Sequence, residues 1–321
     1  MAASTVDTPG TSDPASKLDA KRLRVAPFDM ELGPLRHMAA ERRRLASPCF
    51  DNIGVIPRGA TLGAEIVGVD LRDDPTDEVI NDIRRALTDY KVIYFRDQPI
   101  SASQHVRFAR RFGELEIHPF ISGNSDHPEL VRFEKSADVG GFENGWHHDV
   151  TWRERPSMGA VLHAIQVPPT GGDTLFSDVG AAYDGMSSEL RDRVDGMFAI
   201  HDFMQAFGGQ VPPEHRAAMR SKYPLVRHPV IHTHPVTGRK VIYVNRFFTS
   251  RIEGMPAQES TDLIIELARR VEITEYQFRL SWRPHTVAFW DNRAVQHYAS
   301  SDYWPDVRIM ERASIVGPRP E

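Results

Sequence analysis

The chain has 321 residues, 40% of them hydrophobic and 26% charged, with a formal net charge of -5. That is the make-up of a globular protein with one large domain or two small ones, long enough to bury a sizeable core. The acidic balance argues against a nucleic-acid partner. No apolar run approaches the ~18 residues of a membrane span, so no membrane association is expected. The single cysteine, Cys49, can form neither an internal disulfide nor a thiolate metal cage, and a cytoplasmic setting follows as the expectation.

The first stretch, MAASTVDTPGTSDPASKLDA, lacks the apolar h-region of a signal peptide. Its Ala, Ser, Thr, Pro and Asp cannot bury enough apolar surface to offset the entropy of ordering, which predicts a disordered tail. Residues 32–46 read as a short amphipathic helix, with Arg42-Arg43-Arg44 as a solvated face. Residues 1–50 are thus expected to be a tail and helical extension, and 51–321 the working domain. Ile53-Gly54-Val55-Ile56 and the run from Ala64 to Val69 predict short strands. Thr76 to Tyr90 predicts a helix capped by Thr76, with Val79, Ile80, Ile83 and Leu87 on its apolar face. A compact strand, Val92–Phe95, follows, and then a helix over Ala102–Phe112 capped by Ser101.

The second half is richer in strand signals: Met158–Ile165, Thr174–Phe176, Val230–Thr233, Val241–Val244 and Thr286–Trp290. Helical patterns recur at 187–198 and 257–271. Many short strands with a few covering helices predict a mainly β fold, a double-sheet jelly roll with helical insertions. A dinucleotide fold is excluded because no G-x-G-x-x-G follows a strand.

The strongest local signal is Trp146-His147-His148-Asp149. On an extended segment residues i and i+2 share a face, so His147 and Asp149 can reach one ion while His148 points away. His297 can supply a third ligand, completing the two-histidine, one-carboxylate face that holds Fe(II) with positions left open. With 14 histidines an isolated H-x-D also arises by chance. Zinc is the chemical competitor, although no H-E-x-x-H helix favours it. Downstream, Val307 to Ile315 alternates like a strand, with Arg308, Met310, Arg312 and Ser314 on one face. Two inward guanidinium groups beside a metal ligand predict sites for two carboxylate-like anions; a pair of surface salt bridges is the alternative.

Several blocks together resemble the taurine/2-oxoglutarate dioxygenase family, which includes alkylsulfatases and aryloxyalkanoate oxygenases. They are V-I-Y-F-R-D-Q at 92–98, F-A-R-R-F-G at 108–113, W-H-H-D-V-T-W at 146–152, G-G-D-T-L-F at 171–176, H-P-V-I-H-T-H-P-V-T-G-R at 228–239, Y-V-N-R-F-F-T-S-R-I at 243–252, W-D-N-R-A-V-Q-H-Y-A at 290–299 and R-I-M-E-R-A at 308–313. The resemblance runs from about residue 53 to the C-terminus and implies a double-stranded β-helix. It implies His147, Asp149 and His297 as iron ligands, and Thr174 and Arg308 as partners of the distal carboxylate of 2-oxoglutarate. It implies Arg312 and His118 as contacts for the anionic head of the prime substrate. Trp152, Phe207 and Phe248 match pocket-wall positions, although residue type alone would place these aromatics in the core.

Two positions depart from the taurine-type pattern. Ile121 stands where a tyrosine is found and Ala206 where a serine is found. The polar position before W-H-x-D falls on Glu143 or Asn144, with Asn144 taken as the substrate contact. Fewer hydroxyls mean a more apolar pocket, which favours an anionic head on an apolar body over taurine. The reaction implied is hydroxylation by Fe(II), 2-oxoglutarate and O₂, giving succinate and CO₂, on a small organic anion: a sulfonate or sulfate ester, or alternatively an aryloxyalkanoate or other carboxylate. A non-enzymatic metal or 2-oxoglutarate sensor is the reading from another class. The resemblance also implies a homo-oligomer, a dimer or a tetramer.

Overall fold

In the computed structural model the described residues are 23–25, 30–32, 35–46, 48–118, 123, 125–140 and 143–321. The tail expected over the first twenty residues lies outside them, as does Ile121. Two sheets form the core. Their strands, in chain order, are β1 (Gly54–Pro57), β2 (Ala64–Val67), β3 (Val92–Phe95), β4 (Leu130–Lys135), β5 (Ser157–Gln166), β6 (Thr174–Asp178), β7 (Gln277–Leu280), β8 (Val287–Asp291), β9 (Val295–Ala299) and β10 (Arg308–Val316). The larger sheet has the order β1-β2-β3-β8-β5-β10-β4 and is antiparallel except between β2 and β3. The smaller has the order β7-β6-β9.

Period-2 alternation sorts the side chains of the larger sheet. Val92, Tyr94, Ala160, Leu162, Trp290 and Met310 face Phe176, Phe278, Leu280 and Val295 of the smaller sheet. Their neighbours Ile93, Phe95, Val161, Phe289, Ala313 and Ile315 pack outward, beneath two helices. The result is a jelly roll, two sheets face to face, with helices over the outer side of the larger one.

Of the helices, α1 spans Met38–Leu45, α2 Asp77–Tyr90 and α3 Ala102–Arg110. The cap signals act as expected. Thr76 Oγ1 accepts from Val79 N at 3.5 Å, and Ser101 forms a reciprocal capping box with Gln104. The boundaries differ in three places. The helix expected over 32–46 begins only at Met38, because Leu35 O and Arg36 O are engaged in turns by Met38 N and Ala39 N. The helix expected to reach Phe112 ends at Arg110 in a turn from Arg111 N to Phe108 O. The pattern over 187–198 is helical only for Ser188–Val194. Gly196, at φ +75, breaks it, and Phe198–His201 becomes a strand because Val226–Pro229 and Thr249–Ile252 offer ladders on both sides. A further helix, α4 (Phe203–Phe207), follows that strand, and α5 (Ala257–Val271) matches its expected range.

Candidate active site

His147 and His297 meet through their main chains. His147 N donates to His297 O at 3.1 Å, and His297 N donates to His147 O at 2.9 Å. This single bridge fixes His147 against β9 and sets the two imidazole centroids 4.3 Å apart. Asp149 stands at the start of a turn, with Val150 after it at φ +47. Asp149 Oδ1 stands 3.9 Å from both His147 Nε2 and His297 Nε2. His147 Nδ1 donates to Gly145 O at 2.7 Å, which leaves a bare lone pair on Nε2. His297 is buried, and that burial, aided by the neighbouring His147, lowers its pKa to about 3. Burial alone would raise the Asp149 pKa. Arg312, then His297 and His147, outweigh it and hold the carboxyl at about 2.

Two imidazoles, that of His297 neutral, and one ionised carboxylate therefore converge, and among the described residues Asp149 Oδ2 and His297 Nδ1 have no hydrogen-bond partner. Hard oxygen and borderline nitrogen donors on one face suit Fe(II). His148 is turned away, fully buried, with its ring 4.8 Å from that of Tyr243.

Asn292, in the turn between β8 and β9, is a residue that sequence reasoning missed. Its Oδ1 accepts from Asp149 N at 2.7 Å, while its Nδ2 donates to Asp149 O at 3.1 Å and Ser157 O at 2.9 Å. No local pattern marks it, because all three contacts are remote in sequence. Asn292→Ala leaves buried main-chain groups of Asp149 unpaired. Metal affinity is expected to fall about 10–100-fold, as for other outer partners of metal ligands, measurable by Co(II) titration.

One cavity is lined by His147, His297, Thr174, Arg308 and Arg312. Arg308 is only 8% exposed, and its guanidinium lies 5.8 Å from the Trp282 ring and 5.9 Å from that of Tyr303. Its Nε has no hydrogen-bond partner, and among the described residues no carboxylate pairs with it. Burial lowers its pKa. An unpaired buried guanidinium is costly unless an anion reaches it, so this end of the cavity fits a carboxylate. Thr174 Oγ1 accepts from Trp282 Nε1 at 3.0 Å and keeps its own proton for donation. Gly172, at φ +67, closes tightly here: a Cβ would stand 3.3 Å from Arg308 Cδ and 3.2 Å from the Tyr303 ring. The acidic side chain in this cavity, Glu143, is paired with Lys135 at 3.1 Å.

Arg312 differs from the sequence-based expectation in one respect. It is not reserved for an incoming anion, because Nη1 donates to Asp149 Oδ1 at 3.1 Å. Among the described residues its Nε has no hydrogen-bond partner, and its guanidinium carbon lies 4.8 Å from the Phe133 ring centre. His118 is half-buried nearby. Burial, then the charges of Arg312 and Arg153, lower its pKa to about 4.

Beside the His147 ring stands a cluster of aromatic side chains. Phe247 and Phe248 lie 5.1 and 6.2 Å from the His147 ring, and Phe207 lies 6.0 Å from Phe248. Ala206 and Phe207, on α4, are half-buried. Trp152, Ala206, Phe207 and Phe248 share this cluster and are not on the surface of the cavity described above; Trp152 packs on Phe203 and Tyr223 at 5.1 and 5.0 Å. Asn144 is exposed, and Glu143 is the one that lines the cavity. Phe133, Phe247, Trp282 and Tyr303 were invisible as site residues in the sequence, since each reaches the site from a distant segment.

The family described as "Taurine catabolism dioxygenase TauD, TfdA family" matches residues 55–314. An alpha-ketoglutarate-dependent sulfate ester dioxygenase of Pseudomonas putida is 32% identical over 276 residues, 84% of this chain and 91% of that protein. An alpha-ketoglutarate-dependent 2,4-dichlorophenoxyacetate dioxygenase of Cupriavidus pinatubonensis is 31% identical, over 75% of this chain and 90% of that one. The crystal structure of a taurine dioxygenase from Burkholderia xenovorans superposes with a TM-score of 0.74 at 34% identity, covering 84% of this chain and 91% of the other.

Proposed function

The chain belongs to the taurine catabolism dioxygenase TauD, TfdA family, and from that premise we propose that its prime substrate is a sulfonate or sulfate ester with an apolar body. It is an Fe(II)- and 2-oxoglutarate-dependent dioxygenase acting on a small organic anion. When bound, Fe(II), 2-oxoglutarate and O₂ supply the oxidising power that hydroxylates a C–H bond, with succinate and CO₂ as co-products.

The protein's part is placement. His147, Asp149 and His297 hold the metal from one side. Arg308 and the Thr174 hydroxyl take the distal carboxylate of 2-oxoglutarate. Arg312 and the neutral His118 meet the anionic head, with Ala206, Phe207 and Phe248 around the body. Trp152 braces α4 from behind, and Asn144 belongs to the rim. Oxygen placed on the carbon bearing a sulfate ester or sulfonate gives a product that collapses, releasing sulfate with an aldehyde, or sulfite.

The observation that carries this reading is Arg312. One of its nitrogens is held by Asp149 and another has no partner, and the group lies against Phe133 at the metal end of the cavity. A panel of alkyl sulfates, alkyl and aryl sulfonates, aryloxyalkanoates and taurine, scored by succinate formation, tests it. Longer apolar sulfates or sulfonates are expected to outperform taurine; taurine as the best substrate would overturn the pocket argument. Aryloxyalkanoates form the second reading, supported by the aromatic cluster and the similarity to the 2,4-dichlorophenoxyacetate enzyme.

Arg312→Ala is expected to raise KM for the prime substrate by about tenfold or more, the loss of one charge-assisted contact. The affinity for 2-oxoglutarate should change little. Because Arg312 also holds Asp149, metal retention is measured alongside.

Residues 51–321 act as one catalytic domain, with 1–50 as an extension. No helix among the described residues is long and apolar enough to cross a membrane. The free, exposed Cys49 suits the cytoplasm. A homo-oligomer, dimer or tetramer, is the expected assembly, measurable by light scattering.

A further inference from the structure

The larger sheet carries Arg308 and Arg312 on its inner face. On its outer face, beneath α3, lies a second group of metal-ligand side chains. His105 on α3, His163 on β5 and Glu311 on β10 each place one ligand atom so that all three fall within 4.8 Å of one another, the spacing limit that His147, Asp149 and His297 also meet. His163 and Glu311 are direct cross-strand partners, so they share a face. His105 comes down onto them from the buried side of its helix.

The hydrogen bonds around this group leave it incomplete. His105 Nε2 lies 3.0 Å from Val161 O and must carry the proton there, because a carbonyl only accepts. His163 is engaged by the main chain of Gln98. The other nitrogen of each ring, His105 Nδ1 and His163 Nε2, is buried without a hydrogen-bond partner among the described residues. The two rings are 0% and 2% exposed, and burial lowers their pKa values to about 3 and about 4, so neither is a cation that could neutralise Glu311. Among the described residues the carboxylate of Glu311 meets one cation, Arg132, at 3.3 Å, and that side chain is 44% exposed. Neutral imidazole nitrogens beside a carboxylate, with a ring oriented by a main-chain carbonyl, are the arrangement that metal ligands adopt.

We propose that His105, His163 and Glu311 bind a divalent cation of the zinc class, which pins α3 to the back of the strand bearing Arg308 and Arg312. Two histidines and one carboxylate satisfy a tetrahedral ion once a water takes the fourth position. The site is separate from the iron triad and independent of the prime substrate.

The test uses the full-length chain with Asp149→Ala and His297→Ala, which removes the competing triad. Titrated with Co(II), this variant should bind one equivalent with the visible absorption of a four-coordinate ion. Adding Glu311→Gln or His163→Asn should weaken that binding at least about tenfold. It should also abolish any rise in Tm produced by Co(II) or Zn(II). Glu311→Gln is nearly isosteric and retains the fold if the histidine variant does not. Absence of Co(II) binding in the triad-free chain, with the lone pairs met by water alone, overturns the proposal. So does binding that Glu311→Gln leaves unaltered.

Discussion

Asp149→Ala is expected to abolish both Fe(II) retention and coupled turnover. The carboxylate is the one anionic group of the triad, and both imidazole nitrogens are set at 3.9 Å from its Oδ1. Removing it leaves two imidazoles and no anionic ligand for a hard cation. It also leaves the Arg312 guanidinium, 3.1 Å from Oδ1 in the native chain, without its carboxylate and close to the vacated metal position. Attraction is thereby replaced by repulsion, so the loss should exceed the about 10–100-fold that follows removal of an outer partner. His297→Ala should behave alike. Asp149→Asn separates the two contributions: it keeps an oxygen for Arg312 but not the charge, and is expected to fail as well. His148→Ala is the control. Its ring is fully buried against Tyr243, so truncation should lower stability by about 0.5–3 kcal/mol while iron is retained. Iron content and succinate formation, measured together, decide the matter. Full iron binding and turnover in Asp149→Ala would sink the assignment.

Local chemistry made much of this site legible in advance. His147 and Asp149 are two apart, and an extended chain would put them on one face before any tertiary contact is known; they do converge, although Asp149 lies in a turn. The alternation through Arg308, Met310 and Arg312 placed both arginines inward for the same reason, and all three line the cavity. Cap signals at Thr76 and Ser101 fixed helix starts, because a cap is a contact within a few residues. What escaped was non-local. Asn292 reaches Asp149 across 143 positions, and Trp282 reaches Thr174 across 108. Neither residue carries a sign of its partner. The engagement of Arg312 by Asp149 was hidden likewise: the strand pattern gave its face but not what stands opposite. Phe198 read as the last residue of a helix because propensity is local, whereas the state of Phe198–His201 is decided by two strands that arrive later in the chain. Trp152 shows the reverse case. The plain reading of a buried aromatic describes its packing on Phe203 and Tyr223.

Arg308→Ala should weaken 2-oxoglutarate binding by about 30- to 1000-fold, or roughly 2–4 kcal/mol, because the distal carboxylate loses a charge-assisted, forked partner in a buried setting. The native guanidinium is held ready between Trp282 and Tyr303, with Thr174 in the same cavity wall, so little order remains to be gained on binding. Alanine removes the charge and also opens a void between two aromatic rings. Lysine restores the charge but not the planar fork, and its more strongly hydrated ammonium is harder to bury, so rescue should be partial. Thr174→Val removes a single hydroxyl donor and is expected to cost about 1 kcal/mol, about fivefold. The readout is the concentration of 2-oxoglutarate that half-saturates succinate formation. Iron content, and the KM of the prime substrate where turnover persists, are followed as controls. All three effects should fall on 2-oxoglutarate and leave iron content unchanged, since Arg308 and Thr174 touch no ligand of the triad. An unchanged 2-oxoglutarate affinity in Arg308→Ala, together with a weakened one in Arg312→Ala, would exchange the roles of the two arginines. The anionic head of the prime substrate would then have to be met at the Trp282 end of the cavity.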